Sequence, residues 1–358
     1  MIAGCGQAAA PTQAPAPTQA AAPTQAPAPT EAAQPTQAPA AEATQAPAAK
    51  HYKVALVLPG AISDQGYNAA AYKGLMDLKD KYGAEVAYSE SVPIAEYEET
   101  FRDYSQKGYD IVIGHGFEFG DIIKKVAPDF PDTHYWCINC NVSGPNYASL
   151  LHQNQEGSFV AGYLAALMSK TGKVAGIAGV QFPVLVQQME AFKQGALWAN
   201  PKMQVTITYI GTNDDIAKGK EAALAQISAG NDVIFHIADA AGVGVIEACK
   251  EKGVYAIGFA WDQNQLAPKT VLTSTIISFE GMMDQAMDAT IKGTFTMDVH
   301  KYGLSTGVVQ LADYHGLVPD DIAAKVKEVR DKIEAGKLHV PVINDPTTDN
   351  KILATEDQ

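Results

Sequence analysis

Residues able to do chemistry in this 358-residue sequence gather in short polar stretches, each of which follows an apolar run. The first is Ser63-Asp64-Gln65-Gly66-Tyr67-Asn68, after Val54 to Leu58 and the break at Pro59-Gly60. It sets one phenol ring beside a carboxylate and two amides, a group suited to a flat, uncharged, hydrogen-bonding ligand. The second holds His115, Phe117 and Glu118, and later stretches supply Phe182, Asn213 with Asp214, Asp239, and Trp261 with Asp262 and Gln263. Tyr67 on one side and Phe182 or Trp261 on the other can sandwich a planar ring, while Asp, Asn and Glu side chains fix its edge. Packing is the competing role for any single aromatic, but recurrence after successive apolar runs favours binding for the set. The expected ligand contacts are therefore Asp64, Tyr67, Asn68, His115, Phe117, Glu118, Phe182, Asn213, Asp239, Trp261 and Asp262.

Catalysis has weaker support. His115 and Glu118 are spaced to present an acid and a base, and Asp214, Asp215, Asp239 and Asp262 could converge as nucleosidase carboxylates. No HExxH, GxGxxG or GxxxxGK[ST] pattern occurs, and no serine is read as a nucleophile elbow between a strand and a helix, so no enzyme, metal or cofactor is expected. Cys137-Ile138-Asn139-Cys140 is a CxxC that begins inside an apolar run rather than at a helix start, and Cys249 is the one other cysteine after Cys5. That context leaves a local disulfide or two unconnected buried thiols, with zinc or redox catalysis far behind.

The elements that must position these residues alternate strand and helix. Strands are read at Val54 to Leu58, Glu85 to Tyr88, Ile111 to Gly114 and His134 to Ile138, with helices at Asn68 to Tyr82, Ala95 to Lys107 and Glu118 to Ala127. In the first helix Ala71, Leu75, Leu78 and Tyr82 form the apolar stripe. The pattern restarts with helices at Gly157 to Ser169, Val184 to Asn200, Ala217 to Ala229 and Val243 to Lys252, and strands at Val174 to Gly179, Gln204 to Tyr209, Val233 to His236 and Tyr255 to Phe259. A strand at Val271 to Ile277, a helix at Gly281 to Lys292, a hairpin-like stretch from Lys301 to Ala312 and a helix from Pro319 to Ala335 complete it. This is an α/β chain of two doubly wound, Rossmann-like lobes joined by a hinge, with ligand contacts at the carboxyl ends of the strands. Lobe 1 is expected to take residues 51–156 with 279–302, lobe 2 residues 157–278 with 303–342, and residues 343–358 form a tail. Hinges are expected near Asn154 to Gly157, Phe259 to Asp262 and Ser278 to Gly281.

Ahead of the lobes, residues 6–50 repeat Pro-Thr-Gln-Ala and Ala-Pro units with no aromatic, Val, Ile or Leu, and hold nine of the 20 prolines. Such a segment builds no core and reads as an extended spacer. Met1 to Cys5 end in Ile-Ala-Gly-Cys, which resembles the end of a lipobox, with Cys5 the acylated residue of a clipped leader or late start. Cysteine, spacer and domain in that order suggest a lipid anchor and an extracytoplasmic place at the bacterial membrane. The net charge of −14 argues against a nucleic-acid partner.

Several motifs together resemble the basic membrane protein (BMP) family of substrate-binding lipoproteins of ABC importers, which includes purine nucleoside receptors. They are Asp64-Gln65-Gly66-Tyr67-Asn68 with Gly74, Gly114-His115-Gly116-Phe117-Glu118-Phe119-Gly120-Asp121, and the Gln155-to-Ala166 stretch QEGSFVAGYLAA, followed in order by Gly211-Thr212, Gly258, Asp262-Gln263 and Thr273-Ser274. The resemblance spans Lys53 to about Val342. It implies a type I periplasmic-binding fold closing on a purine base or nucleoside, with the base stacked at Tyr67 and bonded by Asp64 and Asn68, and an ABC permease as partner of a monomer. Nucleoside-binding relatives carry a ribose-binding carboxylate where this chain has Ala260, tend to have a lysine within the region of Thr275 to Ser278, and have a lysine where Gln65 stands. A free base such as adenine, with Trp261 filling space near the ribose pocket, fits these departures. The alternatives are a sensor of the same fold for another small polar or aromatic ligand and, behind it, a nucleosidase.

Overall fold

Short apolar runs bounded by turn-forming residues build two six-stranded sheets in this computed structural model, which describes residues 50–357 apart from residue 65 and residues 347–350. Cys5 and the spacer up to residue 49 lie outside the described residues, as does Gln65. In chain order the elements are β1 (Lys53–Val57), α1 (Tyr67–Tyr82), β2 (Glu85–Ser89), α2 (Tyr97–Gln106), β3 (Ile111–His115), α3 (Gly120–Val126), β4 (His134–Ile138) and β5 (Tyr147–His152). There follow α4 (Asn154–Met168), β6 (Lys173–Ala178), α5 (Pro183–Ala199), β7 (Gln204–Tyr209), α6 (Ile216–Ser228), β8 (Val233–Ile237), α7 (Ala241–Lys252), β9 (Tyr255–Ala260) and β10 (Val271–Ile277). The last are α8 (Phe279–Ile291), β11 (Val299–Tyr302), β12 (Val309–Leu311), α9 (Asp320–Glu334), β13 (Leu338–His339) and β14 (Thr355–Glu356).

The first sheet runs β2-β1-β3-β4-β5-β11, all parallel. The second runs β7-β6-β8-β9-β10-β12, parallel except for β12, which is antiparallel to β10. Central strands such as β3 and β8 are buried throughout, as parallel strands covered on both faces must be. In each sheet the order reverses beside the first strand of the lobe, β1 or β6, and a crevice opens there at the carboxyl ends. The two lobes give the type I periplasmic-binding architecture anticipated from the motifs. The chain passes from one sheet to the other three times, through α4, through the segment of α8, and between β11 and β12.

The third passage corrects the hairpin expected at Lys301 to Ala312. β11 pairs in parallel with β5 and β12 pairs with β10, so the two strands belong to different sheets and do not pair with each other. Two short strands separated by a glycine-bearing turn look like a hairpin, but the turn here carries the chain between lobes. Glu156 at the start of α4 holds it by accepting the Leu304 N–H at 2.8 Å, and Gly307 takes φ 70° to redirect the backbone into β12. β5 was not anticipated at all, because its first residues, Tyr147, Ala148 and Ser149, interrupt the apolar signal.

α4 and α5 lie backbone to backbone in lobe 2. A Cβ on Gly162 would overlap the Phe192 carbonyl, and one on Gly195 would overlap the Phe159 carbonyl, so neither helix accepts a larger residue without moving apart. The stretch after α9 folds back on the same lobe: β13 pairs with β14, and the Gln194 amide donates to the Lys351 carbonyl at 2.8 Å and accepts from the Leu353 N–H at 2.6 Å. Gly162→Ala should destabilise the domain by about 3 kcal/mol, overpacking outweighing alanine's better helix propensity of about 1 kcal/mol. A urea midpoint equal to that of the parent protein would show that the helices can separate at no cost.

Candidate functional site

A cavity of about 570 Å³ lies between the lobes, where the turns after β1, β3, β4, β6 and β8 meet the ends of β5, β9 and β10. Its first wall is the turn after β1. The Asp64 carboxylate accepts from the N–H groups of Gly66, Asn68 and Ala69, each at 2.9 Å, and from the Asn68 side-chain amide at 2.8 Å. It thus satisfies the free donors at the start of α1, which has no side-chain cap from its own N-cap residue, Gly66. Asn68 in turn accepts the Gly60 N–H at 3.3 Å. Both side chains border the cavity, with most of their bonding capacity spent on the turn itself.

Tyr67 follows at the cavity wall. Its ring stacks on His115 with centroids 3.8 Å apart, and the His115 Nε2 lies 3.0 Å from the Tyr67 carbonyl. Burial raises the phenol well above its ordinary pKa, and the nearby Glu118 and Asp239 add to the rise, although Asn139 hydrogen-bonds the phenol oxygen. Tyr67 is therefore a neutral donor. His115 is fully buried behind it and does not border the cavity; desolvation holds its pKa down to about 3, so the imidazole is neutral. The acid–base pairing of His115 with Glu118 is not realised, since the imidazole is covered by the Tyr67 ring.

Phe117 and Glu118 follow β3. Gly116 adopts φ 148°, and a Cβ there would collide with the Glu118 carboxylate, so the glycine lets that carboxylate fold back over the backbone at the cavity edge. Burial raises the Glu118 pKa. From the other lobe, Phe182 precedes α5 and its ring centroid stands 6.0 Å from that of Phe117, at an interplanar angle of 56°. Both rings are partly open to solvent, 47% and 39% exposed, in a protein whose other large aromatics are mostly buried. Asn213 rests on the β6 turn, accepting the Val180 N–H at 3.2 Å, with Asp214 beside it at the rim. Asp239 follows β8 with its backbone at φ 41°, an unusual conformation for a non-glycine residue. Burial, then Asp64 and Asp214, pushes its pKa up to about 7.

Trp261 and Asp262 do not border this cavity. They line a neighbouring depression with Lys73 and Glu280, and Asp262 accepts the Asn264 N–H at 3.1 Å and contacts His315 Nε2 at 2.9 Å. Asp215 is used as the cap of α6, accepting the Lys218 N–H at 3.1 Å. The four carboxylates considered for a nucleosidase are thus divided between the cleft, a helix cap and a separate depression.

Among the lining residues that the sequence does not single out as contacts, the polar ones are Asn139, His152, Asn154 and Gln188, beside Ser63 of the first turn. Asn139 follows β4 with φ 65° and sits inside the Cys137–Cys140 disulfide, whose Cα atoms are 5.5 Å apart; of the two thiol states left open by the sequence, the bridged one is present. The rule that residues after a strand face the crevice would have found Asn139, but the cysteines around it drew the reading elsewhere. Gln188 lies on a helix of weak amphipathicity and gives no signal of its own. Cys249 is buried, and desolvation pushes its pKa up to about 12, which makes it an inert thiol.

The comparisons with known proteins fall on this architecture. The family model described as "ABC transporter substrate-binding protein PnrA-like" (Bmp) matches residues 51–344. The chain belongs to this family. Basic membrane protein A of Borreliella afzelii is 30% identical over 298 residues, covering 81% of this chain and 91% of that protein. The transcriptional activator protein med of Bacillus subtilis is also 30% identical, over 278 residues, 77% of this chain and 87% of its own. Among solved structures, an ABC transporter solute-binding protein from Aeropyrum pernix K1 has a similar fold, with TM-score 0.72 at 23% identity over 82% of this chain and 94% of that one. A transcriptional activator of the comK gene from Bacillus halodurans superposes with TM-score 0.71 at 27% identity, over 79% and 98%. This Bmp-family chain is thus an ABC-transporter-type substrate-binding protein in fold and family. Among the described residues no helix is long and apolar enough to cross a membrane.

Asp239 gives the Bmp cleft a pH signature. Its folded pKa of about 7 lies above the unfolded value, so its contribution to stability is fully present below about pH 4 and is lost as pH rises towards 7 and beyond. Asp239→Asn should therefore gain roughly 3 kcal/mol on the parent between pH 5 and pH 8 in urea denaturation of the unliganded protein. A difference independent of pH would mean that Asp239 is ionised across this range.

Proposed function

We propose that this Bmp-family protein is an extracytoplasmic, lipid-anchored solute receptor that captures a purine base or nucleoside between its lobes and presents it to an ABC permease. The observation that carries the reading is the pair of half-exposed rings, Phe117 and Phe182, facing each other from opposite lobes at 6.0 Å. Rings that accept a planar ligand between them stand roughly 7 Å apart, at two van der Waals contacts of about 3.5 Å. A small opening and a rotation of either ring towards parallel would make that space. The same ligand would then touch both lobes, and its affinity for the closed arrangement would set the closed population. Tyr67 supplies a neutral donor, while Asn139, Asn154, Gln188 and the carboxylates supply acceptors for the ring edge. Trp261 lies outside the cavity, which leaves room for a sugar as well as a base, so adenine and adenosine are both candidates.

Binding rather than turnover is the reading that fits the neutral, covered His115 and the dispersed carboxylates. The family supports delivery to a permease, and the amino-terminal motif supports the Cys5 anchor. A second reading, a ligand-responsive regulator, draws on the names of the relatives from the two Bacillus species, both called transcriptional activators. Incorporation of labelled fatty acid at Cys5 when the protein is made in its bacterial host would favour the receptor; a protein retained in the cytoplasm would favour the regulator.

Thermal shift with nucleobases, nucleosides, pentoses and amino acids separates ligand classes, because bound ligand stabilises the native state by mass action. Purines alone should raise the melting temperature, and Phe117→Ala and Phe182→Ala should each weaken purine binding about tenfold with little change in unliganded stability. A shift with a sugar or an amino acid and none with a purine would contradict the proposal.

A further inference from the structure

The cleft carries charge of one sign. Asp64, Glu118, Asp214 and Asp239 border it, and among the described lining residues there is no lysine or arginine. Asp64 is balanced by the amino end of α1, but Glu118, Asp214 and Asp239 have no ion-pair partner among the described residues. The inner end of the cavity repeats the bias in uncharged groups. Asn154 and Gln188 are 5% and 2% exposed, both line the cavity, and the Asn154 Oδ1 and Gln188 Oε1 have no donor; the buried, neutral His152 beside them has neither ring nitrogen partnered and adds one further acceptor and a single N–H. A buried carbonyl oxygen without a donor is unfavourable unless the ligand brings one. Carboxylates at the rim, empty acceptors inside and the faces of Phe117 and Phe182 between them share one complement: a flat group that is positively charged and rich in N–H donors.

We propose that the ligand of this cleft is a cationic heteroaromatic compound, its positive charge on a protonated or alkylated ring nitrogen, selected over neutral rings of the same shape and over phosphorylated ones. The choice of a flat ring rests on the function proposed above; the choice of charge rests on the lining alone. Walls of low polarity around the cleft focus the field of the carboxylates on its contents, so a charge placed there is worth more than one at an open surface. Phosphorylated ligands would meet the acidic groups of Glu118, Asp214 and Asp239 and no cation among the described lining residues.

Titration calorimetry of the intact protein at pH 7.5 with matched pairs tests this. One pair is 1-methyladenosine, a cation at this pH, against its neutral isomer N6-methyladenosine; the other is 1-methylnicotinamide cation against nicotinamide. The expected result is that each cation that binds does so at least about tenfold more tightly than its neutral counterpart. Glu118→Gln and Asp214→Asn should each weaken the cation about fivefold more than they weaken its neutral partner, and an equal loss for both would count against the charge. Preference for the nicotinamide cation with no purine binding would support the charge and defeat the purine reading. Neutral N6-methyladenosine bound as tightly as its cationic isomer, or failure of both cations to bind at about 1 mM, would overturn the charge while leaving the purine reading to its own test.

Discussion

One carboxylate, that of Asp64, fixes the wall from which the cleft is built. By accepting three backbone N–H groups and the Asn68 amide it closes the turn after β1 and satisfies the start of α1, where Gly66 offers no side chain. With the turn fixed, Tyr67 has one place to go, against His115 and edge-on to Phe279 at the foot of α8. α1 packs on α8, the helix that follows one of the passages between sheets, so a cap near the start of the domain also braces the approach to the hinge. Gly74 marks how close that packing is: a Cβ there would press on Met283 and the backbone at Phe279 and Glu280.

The second constraint is electrostatic. Burying several carboxylates around one cavity without a basic partner disfavours the folded state, and the raised pKa values of Glu118 and Asp239 are the direct expression of that cost. Asn139 and Asp239 follow their strands at positive φ, a region that Asn and Asp enter more readily than other non-glycine residues. Costs of this kind persist where a ligand offsets them. The disulfide around Asn139 and the packed cores behind β4 and β8 hold those residues in place, so the unfavourable groups are supported by favourable packing on their far side.

The two-lobed plan was legible in the sequence because alternating apolar runs and amphipathic stripes are local signals. Val54 to Leu58 and Ile111 to Ile113 announce buried parallel strands from composition alone. β5 and the β11–β12 passage were not legible, since the first begins with mixed residues and the second depends on which sheet each strand joins, a non-local fact. Within the cleft, residues just after strands were visible as candidates, and Asp64, Tyr67, Asn68, Phe117, Glu118, Phe182, Asn213 and Asp239 do border the cavity. Trp261 and Asp262 follow β9 by the same rule, yet Ala260 turns at φ 70° and sends them to the neighbouring depression. His115 ends its strand one residue too early to reach the cavity and lies behind Tyr67. Gln188 and Asn154 belong to helices that approach the cleft from the side, which no strand-based rule can foresee.

The central claim is that a planar ligand joins the lobes, and the distance between the lobes measures it most directly. Spin labels at Asp121 in α3 and Lys218 in α6 place one probe on each lobe, at positions outside the cavity lining. The account predicts a broad distance distribution without ligand that collapses to a single narrow one with a bound purine or heteroaromatic cation, and that is unchanged by ribose. A ligand that saturates the protein by calorimetry while leaving the distribution as it was would contradict it.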